Sequence, residues 1–175
     1  VDNTQESRKI LGEKAVNYMN YCLYNAATHG TGAAATFAGQ NIYGKTGTTS
    51  NNRDRWFCGY TGHYTSAVWV GFDQPEQVLV GTNPAALLWK KVMQPIHAGL
   101  PTTNLYDANA FRTVAVCLDS GKLATNACYN DLRGINRVAY ANVYPGDEPT
   151  EFCDKHVQME YCYTGGGVAT EYCAH

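Results

Sequence analysis

The chain has 175 residues, with 13 Lys and Arg against 15 Asp and Glu, for a formal net charge of −2. That length holds one domain, or one and a small appendage, and suffices to bury a core. The near-neutral balance argues against nucleic acid or a charged membrane surface as a partner, and no apolar run is long enough to span a bilayer.

The first residues lack a charged-then-apolar targeting pattern, and because the chain opens on Val1 we expect it to be a piece of something longer. Over residues 12–28, Ala15 and Val16, Met19, Cys22 and Leu23, and Ala26 recur at helical spacing. This predicts an amphipathic helix that buries that face. His29-Gly30-Thr31-Gly32 closes it, with Gly30 as a left-handed stop and His29 as an exposed cap. Residues 33–37 suit one short helix of small side chains.

Residues 43–49 read as the first strand, and 50–53 as a polar turn. Residues 56–60 and 66–72 are β-prone runs joined by Thr61-Gly62-His63-Tyr64, which gives three antiparallel strands with the first at one side. A second helix follows over 84–94, with apolar positions at 85, 88, 89, 92 and 93. Pro84 falls near its first turn and Pro95 marks its end or a kink. Trp89 and Met93 are expected in the core. Residues 100–107 look like a linker, so we divide the chain into 1–106 and a small, cysteine-bearing β region over 107–175. The fold class expected is α+β, an antiparallel sheet flanked by helices.

The second region contains an internal repeat. Residues 117–128 and 162–173 each begin and end in cysteine and share a glycine and an Ala-Thr pair at matching offsets. Each copy reads as strand, glycine turn, strand. The simplest pairing joins Cys117 to Cys128 and Cys162 to Cys173, each link worth about 3 kcal/mol in the chain-entropy model, and it favours an oxidising exterior. Cys128 with Cys153 competes, and sequence does not choose between them. A structural zinc ion held by ligands drawn from Cys153, His156, Cys162, Cys173 and His175 is a further alternative. Cys22 and Cys58 are expected as buried free thiols. Asp119, Asp147 and Glu148 sit in turn-like contexts and are expected to be solvated.

The chemistry concentrates in Gly44-Lys45-Thr46-Gly47-Thr48-Thr49. Here an ammonium, several hydroxyls and a backbone opened by Gly47 lie on one extended hexapeptide. That set suits an anionic ligand running along a strand edge. The same residues satisfy a phosphate-loop pattern, from Gly39 to Gly44-Lys45-Thr46. That motif works only between a buried strand and a helix. The alanine-rich approach and the turn-forming residues after Gly47 argue for a strand instead.

Gly44 to Thr49, followed by Asp54, Trp56, Phe57, Gly59 and Tyr60, closely resembles the K-T-G strand and hairpin of the transpeptidase domain of bifunctional, class A penicillin-binding proteins. Gly30-Thr31-Gly32 resembles the turn that precedes that strand. Pro149-Thr150-Glu151-Phe152-Cys153-Asp154-Lys155-His156 resembles a P-T-x-x-C-x-x-H stretch near the C-terminus of such proteins. The resemblance implies a D,D-transpeptidase that cross-links peptidoglycan stem peptides through a serine acyl-enzyme and binds β-lactams. It would work on the outer face of the bacterial cytoplasmic membrane, held by an anchor expected outside this chain. Lys45 would shape the field at the substrate carboxylate, Thr46 and Thr48 would hydrogen-bond it, and Gly47 would leave it room. The amide N–H of Thr48 would be one arm of the oxyanion hole.

The family also needs Ser-x-x-Lys and Ser-x-Asn. None of Ser7, Ser50, Ser66 and Ser120 begins Ser-x-x-Lys. Ser50-Asn51-Asn52 matches Ser-x-Asn only in letters, since it falls just after the strand. The nucleophile is therefore expected upstream, in an N-terminal part of the same protein, and this chain alone should form no acyl-enzyme. No cofactor is implied, and no metal is assigned to the K-T-G site. His29, His63, His97, His156 and His175 are scattered and suggest no hydrolytic triad. Asp54 is expected to brace the turn through Arg53 or Arg55. From another class, the alternative is a non-catalytic extracellular module, stapled by disulfides or zinc, that binds cell wall or a protein partner.

Overall fold

The computed structural model describes residues 8–131, 134–162 and 164–171. The chain forms two compact units, Val1–Asp107 and Ala108–His175.

In the first unit, β1 (Tyr43–Thr48), β2 (Arg55–Tyr60) and β3 (Thr65–Val70) form an antiparallel sheet in the order β1-β2-β3. Alternation decides which side chains turn inward. On β2, Phe57 is buried while its neighbours Trp56 and Cys58 are exposed. Helix α2 (Pro84–Ile96) covers the Phe57 face. Asn83 starts it by accepting from the amides of Ala85 at 2.9 Å and Ala86 at 3.3 Å, and Pro84 needs no partner there. Trp89 meets Phe57 edge to face with centroids 5.1 Å apart. Around that pair Ala27, Ala35, Ile42, Ala85, Ala86 and Met93 complete the core. Trp89 and Met93 are buried as expected, whereas Leu88 and Val92 on the same helix are exposed.

Helix α1 (Glu13–Thr28) departs from the expected amphipathic reading. Val16, Met19 and Cys22 are exposed, and the buried residues are Asn17, Asn20 and Ala27. The polar face turns inward because the segment expected to be a linker lies against it. Asn17 donates to the Asp107 carbonyl and accepts from the Asp107 amide. Asn20 donates to the Leu105 carbonyl and accepts the Tyr60 hydroxyl at 2.6 Å. Tyr43 accepts from the Leu105 amide at 2.9 Å and donates to Asn104 at 3.0 Å. Residues 100–107 are thus a strap rather than a linker, since their backbone groups are satisfied by buried side chains. Cys58 is exposed too, against expectation, because it shares the outer face of β2 with Trp56.

Gly30 is no left-handed stop, since its φ is not positive. A Cβ there would sit 2.8 Å from the Ala26 carbonyl oxygen, so what the position demands is close approach. The short helix expected over 33–37 is a single 3-10 turn, Ala33–Ala35.

In the second unit, β4 (Arg112–Cys117) pairs antiparallel with β5 (Val138–Val143). Between them lies α3 (Asn126–Tyr129), one helical turn. The two-residue strands β6 (Tyr161–Cys162) and β7 (Gly167–Val168) make a separate hairpin. The first repeat copy therefore corrects the strand–turn–strand reading. It turns at Gly121, where φ is +71°, bridges back at Leu123, and then becomes helix, so Cys128 faces Cys117 from α3. Among the described residues, no helix is long and apolar enough to cross a membrane.

Candidate functional site

The sequence reading singled out Lys45, Thr46, Gly47 and Thr48, and all four lie on β1. Among the described residues β1 pairs only with β2, so its other edge carries no partner strand. Tyr43 and Gly44 are buried, while Lys45 and Thr48 are exposed. After β1 comes a turn through Ser50–Asn52, then β2. That turn is three residues of 3-10 type, broken at Asn51, and not the α-helix N-terminus that a phosphate cradle requires.

Two glycines let this strand sit where it does. A Cβ on Gly44 would stand 2.6 Å from Phe57 Cζ and 2.9 Å from the Cys58 carbonyl oxygen, so only glycine fits against the core. Gly47 faces Trp56 across the sheet, and a Cβ there would press on Trp56 Cβ at 3.1 Å.

The polar groups converge at the start of the hexapeptide. Lys45 Nζ donates to Thr31 Oγ1 at 3.3 Å, to Thr46 Oγ1 at 3.2 Å and to the Thr46 carbonyl at 3.1 Å. The two threonine hydroxyls share a hydrogen bond of 2.7 Å. Thr31 comes from the turn after α1, so that turn supplies a second wall beside β1. Among the described residues the ammonium's hydrogen-bond partners are hydroxyl and carbonyl oxygens rather than carboxylates. Thr31 was read only as part of a turn; its closeness to Lys45 was invisible in a linear sequence.

The turn after β1 is braced, but not through arginine as expected. Asp54 accepts the Thr49 hydroxyl at 2.8 Å and the Trp69 indole N–H at 2.9 Å, and its own amide donates to Thr49 Oγ1 at 2.9 Å. The bond from Trp69 and then that from Thr49 hold its carboxyl below the usual carboxylate range. Asn51 and Asn52 make the reversal with φ of +61° and +54°, which asparagine tolerates. His97 is buried, with Nδ1 2.6 Å from the Met93 carbonyl and Nε2 2.7 Å from Thr61 Oγ1, which is a structural role.

The second unit assembles another constellation. Cys117, Cys128, Cys153 and His156 bring their ligand atoms within 4.8 Å of one another. The pairing of Cys117 with Cys128 is not formed, and neither these two nor Cys153 is in a disulfide. Cys162 stands outside the group, and Cys173 and His175 lie outside the described residues. Asp119 is not simply solvated. It takes a bidentate contact from Arg137, at 2.9 and 2.6 Å, and lies 3.2 Å from His156 Nε2. Glu148 likewise accepts from Arg112 at 2.8 Å.

Residues 110–158 match a family model described as penicillin-binding protein 1A, C-terminal domain. The chain is 34% identical over 169 residues to penicillin-binding protein 1A of Clostridium botulinum strain Langeland, covering 95% of this chain and 20% of that one. It is 30% identical over 158 residues to penicillin-binding protein 1A of Clostridium perfringens, covering 90% of this chain and 19% of that one. The chain thus spans about a fifth of the length of these curated relatives. Among solved structures it is similar to penicillin-binding protein 1A from Haemophilus influenzae, with a TM-score of 0.52 and 24% identity over 77% of this chain and 20% of that one.

Proposed function

The chain belongs to the penicillin-binding proteins, as a counterpart of the C-terminal part of penicillin-binding protein 1A, and from that premise we propose that β1 forms one wall of a D,D-transpeptidase cleft. In this reading the strand edge receives the D-Ala-D-Ala end of a peptidoglycan stem peptide, or the β-lactam that mimics it. The observation that carries it is the ammonium of Lys45 held among Thr31 Oγ1, Thr46 Oγ1 and the Thr46 carbonyl on an unpartnered strand edge.

The roles follow from the chemistry of the groups. Lys45 supplies the positive field that draws the substrate carboxylate. Thr46 and Thr48 donate hydroxyls to it, and Gly47 keeps the edge low enough for a peptide backbone to lie alongside. The Thr48 amide is one arm of the oxyanion hole, where negative charge develops as the serine attacks. With the scissile carbonyl carbon at the serine oxygen, the terminal D-alanine leaves as the amine, and an acceptor amine from a neighbouring stem then takes the acyl group. The chain has no Ser-x-x-Lys, so the serine and its base must come from residues outside it. In this reading the reaction takes place on the outer face of the cytoplasmic membrane.

Fluorescent penicillin tests this reading. This chain alone should take no covalent label, while a longer chain that adds a Ser-x-x-Lys segment of the same family should. Label on the longer chain that is indifferent to changes in Lys45 and Thr46 would overturn the assignment of the wall.

A further inference from the structure

We propose that Cys117, Cys128, Cys153 and His156 bind a zinc ion that serves as the core of the second unit. The inference does not depend on the transpeptidase reading.

The distances fit. A tetrahedral ion with Zn–S near about 2.3 Å and Zn–N near about 2.0 Å sets sulfur-to-nitrogen edges of about 3.5 Å. His156 Nδ1 lies 3.4 Å from Cys117 Sγ and 3.5 Å from Cys153 Sγ. All four ligand atoms fall within 4.8 Å of one another, the compass of a single ion. Three thiolates and one imidazole are the soft and borderline donors that select zinc over magnesium or calcium. With four protein ligands no position stays open, so the ion is structural rather than catalytic.

The surroundings orient each ligand. His156 Nε2 lies 3.0 Å from Asp131 Oδ2 and 3.2 Å from Asp119 Oδ2, which turns the ring so that Nδ1 faces the sulfurs. Backbone amides donate to the sulfurs, Asp119 to Cys117 at 3.4 Å, Thr125 to Cys128 at 3.4 Å and Lys155 to Cys153 at 3.3 Å.

The fold brings the four together by separate devices. Cys117 ends β4. The Thr125 cap starts the helical turn that carries Cys128. Leu123 bridges both Val116 and Phe152, which sets Cys153 beside Cys117. Lys122 reaches Glu151 and Asp154, each at 2.9 Å, and pins the loop around Cys153.

Among the described residues the unit has no other buried cluster. Its buried cluster is the three cysteines themselves, with Ala124 and Val138 packed against them, while Leu118, Phe152, Tyr140 and Val157 are exposed. A region this small, without a sizeable apolar interior, needs a staple. A single disulfide would use two of the three sulfurs and strand the third, buried beside an imidazole. One ion uses all three and the histidine, and releases the thiol protons on binding.

The test uses the full chain, purified without a metal-affinity tag. Elemental analysis should find one zinc per chain. Stripping with a chelator and adding cobalt should give the intense visible bands of tetrahedral thiolate-bound cobalt, which added zinc then abolishes. Cys128→Ser should lose both metal and bands, while Cys22→Ser, Cys58→Ser and Cys162→Ser should keep them. Should Cys128→Ser fail to fold, the metal content and cobalt spectrum of the unaltered chain decide alone. Substoichiometric zinc, an octahedral cobalt spectrum, or a mapped disulfide between any two of Cys117, Cys128 and Cys153 would overturn the proposal.

Discussion

Lys45 Nζ lies 3.3 Å from Thr31 Oγ1, which itself shares a 2.7 Å hydrogen bond with Thr46, so a turn at the end of α1 orients two polar side chains of β1. Thr31→Val removes that anchor while leaving the strand itself intact. A net hydrogen bond of this kind contributes about 1–1.5 kcal/mol. In a longer chain that carries the serine, the penicillin acylation rate should fall about fivefold to about tenfold, with Thr31→Ser close to unaltered. Equal rates for the Val and Ser variants would remove Thr31 from the site.

Gly44 and Gly47 face different neighbours, and their alanine variants should separate. At Gly44 the added methyl meets Phe57 Cζ at 2.6 Å and a backbone oxygen at 2.9 Å, neither of which yields easily. Gly44→Ala should lower the unfolding free energy by about 1–3 kcal/mol, as overpacking does. At Gly47 the contact is 3.1 Å to Trp56 Cβ, on the exposed side. Gly47→Ala should cost less stability, and its damage should show in acylation. Denaturant titration of both variants, beside acylation rates, reads the difference.

Thr61 and His97 form a buried polar pair. Nδ1 donates to the Met93 carbonyl, which can only accept, and Nε2 lies 2.7 Å from Thr61 Oγ1. The same hydroxyl oxygen accepts the amides of His63 at 3.1 Å and Tyr64 at 3.3 Å. Thr61→Val strands these groups and should destabilise by about 1–3 kcal/mol, and Thr61→Ser by much less. Thermal unfolding of the two variants checks the order.

Asp54 makes an acid-side signature. The Trp69 indole and the Thr49 hydroxyl hold its folded pKa below the unfolded value. Its stabilisation is therefore complete above the unfolded pKa of about 3.9 and is lost as pH falls through the folded value. Between about pH 5 and about pH 3, the unaltered chain should lose more stability than Asp54→Asn. Parallel pH profiles of the two would refute this account of the turn.

The first sheet was legible because its signals are local. The β-prone runs over 56–60 and 66–72 and a turn-rich 50–53 segment fix strand, reversal and strand within a few residues of one another. The inward face of α1 was not. Its apolar stripe pointed to Met19 and Cys22, but Asn17 and Asn20 are the buried pair because they bind backbone some 85–90 residues away. No helical periodicity encodes such a partner. The cysteines misled for a related reason. The repeat made Cys117 and Cys128 look like the ends of one hairpin, whereas the Thr125 cap converts the second arm to helix. The Cys153-Asp-Lys-His156 spacing was the usable signal, and only the fold supplies Cys117 and Cys128 as its companions.

The central claim is that Lys45 on the open edge of β1 grips the ligand carboxylate. The measurement closest to it is the second-order penicillin acylation rate of a serine-bearing longer chain, unaltered and with Lys45→Ala, with melting temperature recorded for both. The account predicts a fall of about 100-fold or more, the scale for removing one preorganised charge-stabilising group, at unchanged melting temperature. A rate within about twofold of the unaltered protein, well under 1 kcal/mol, would contradict it.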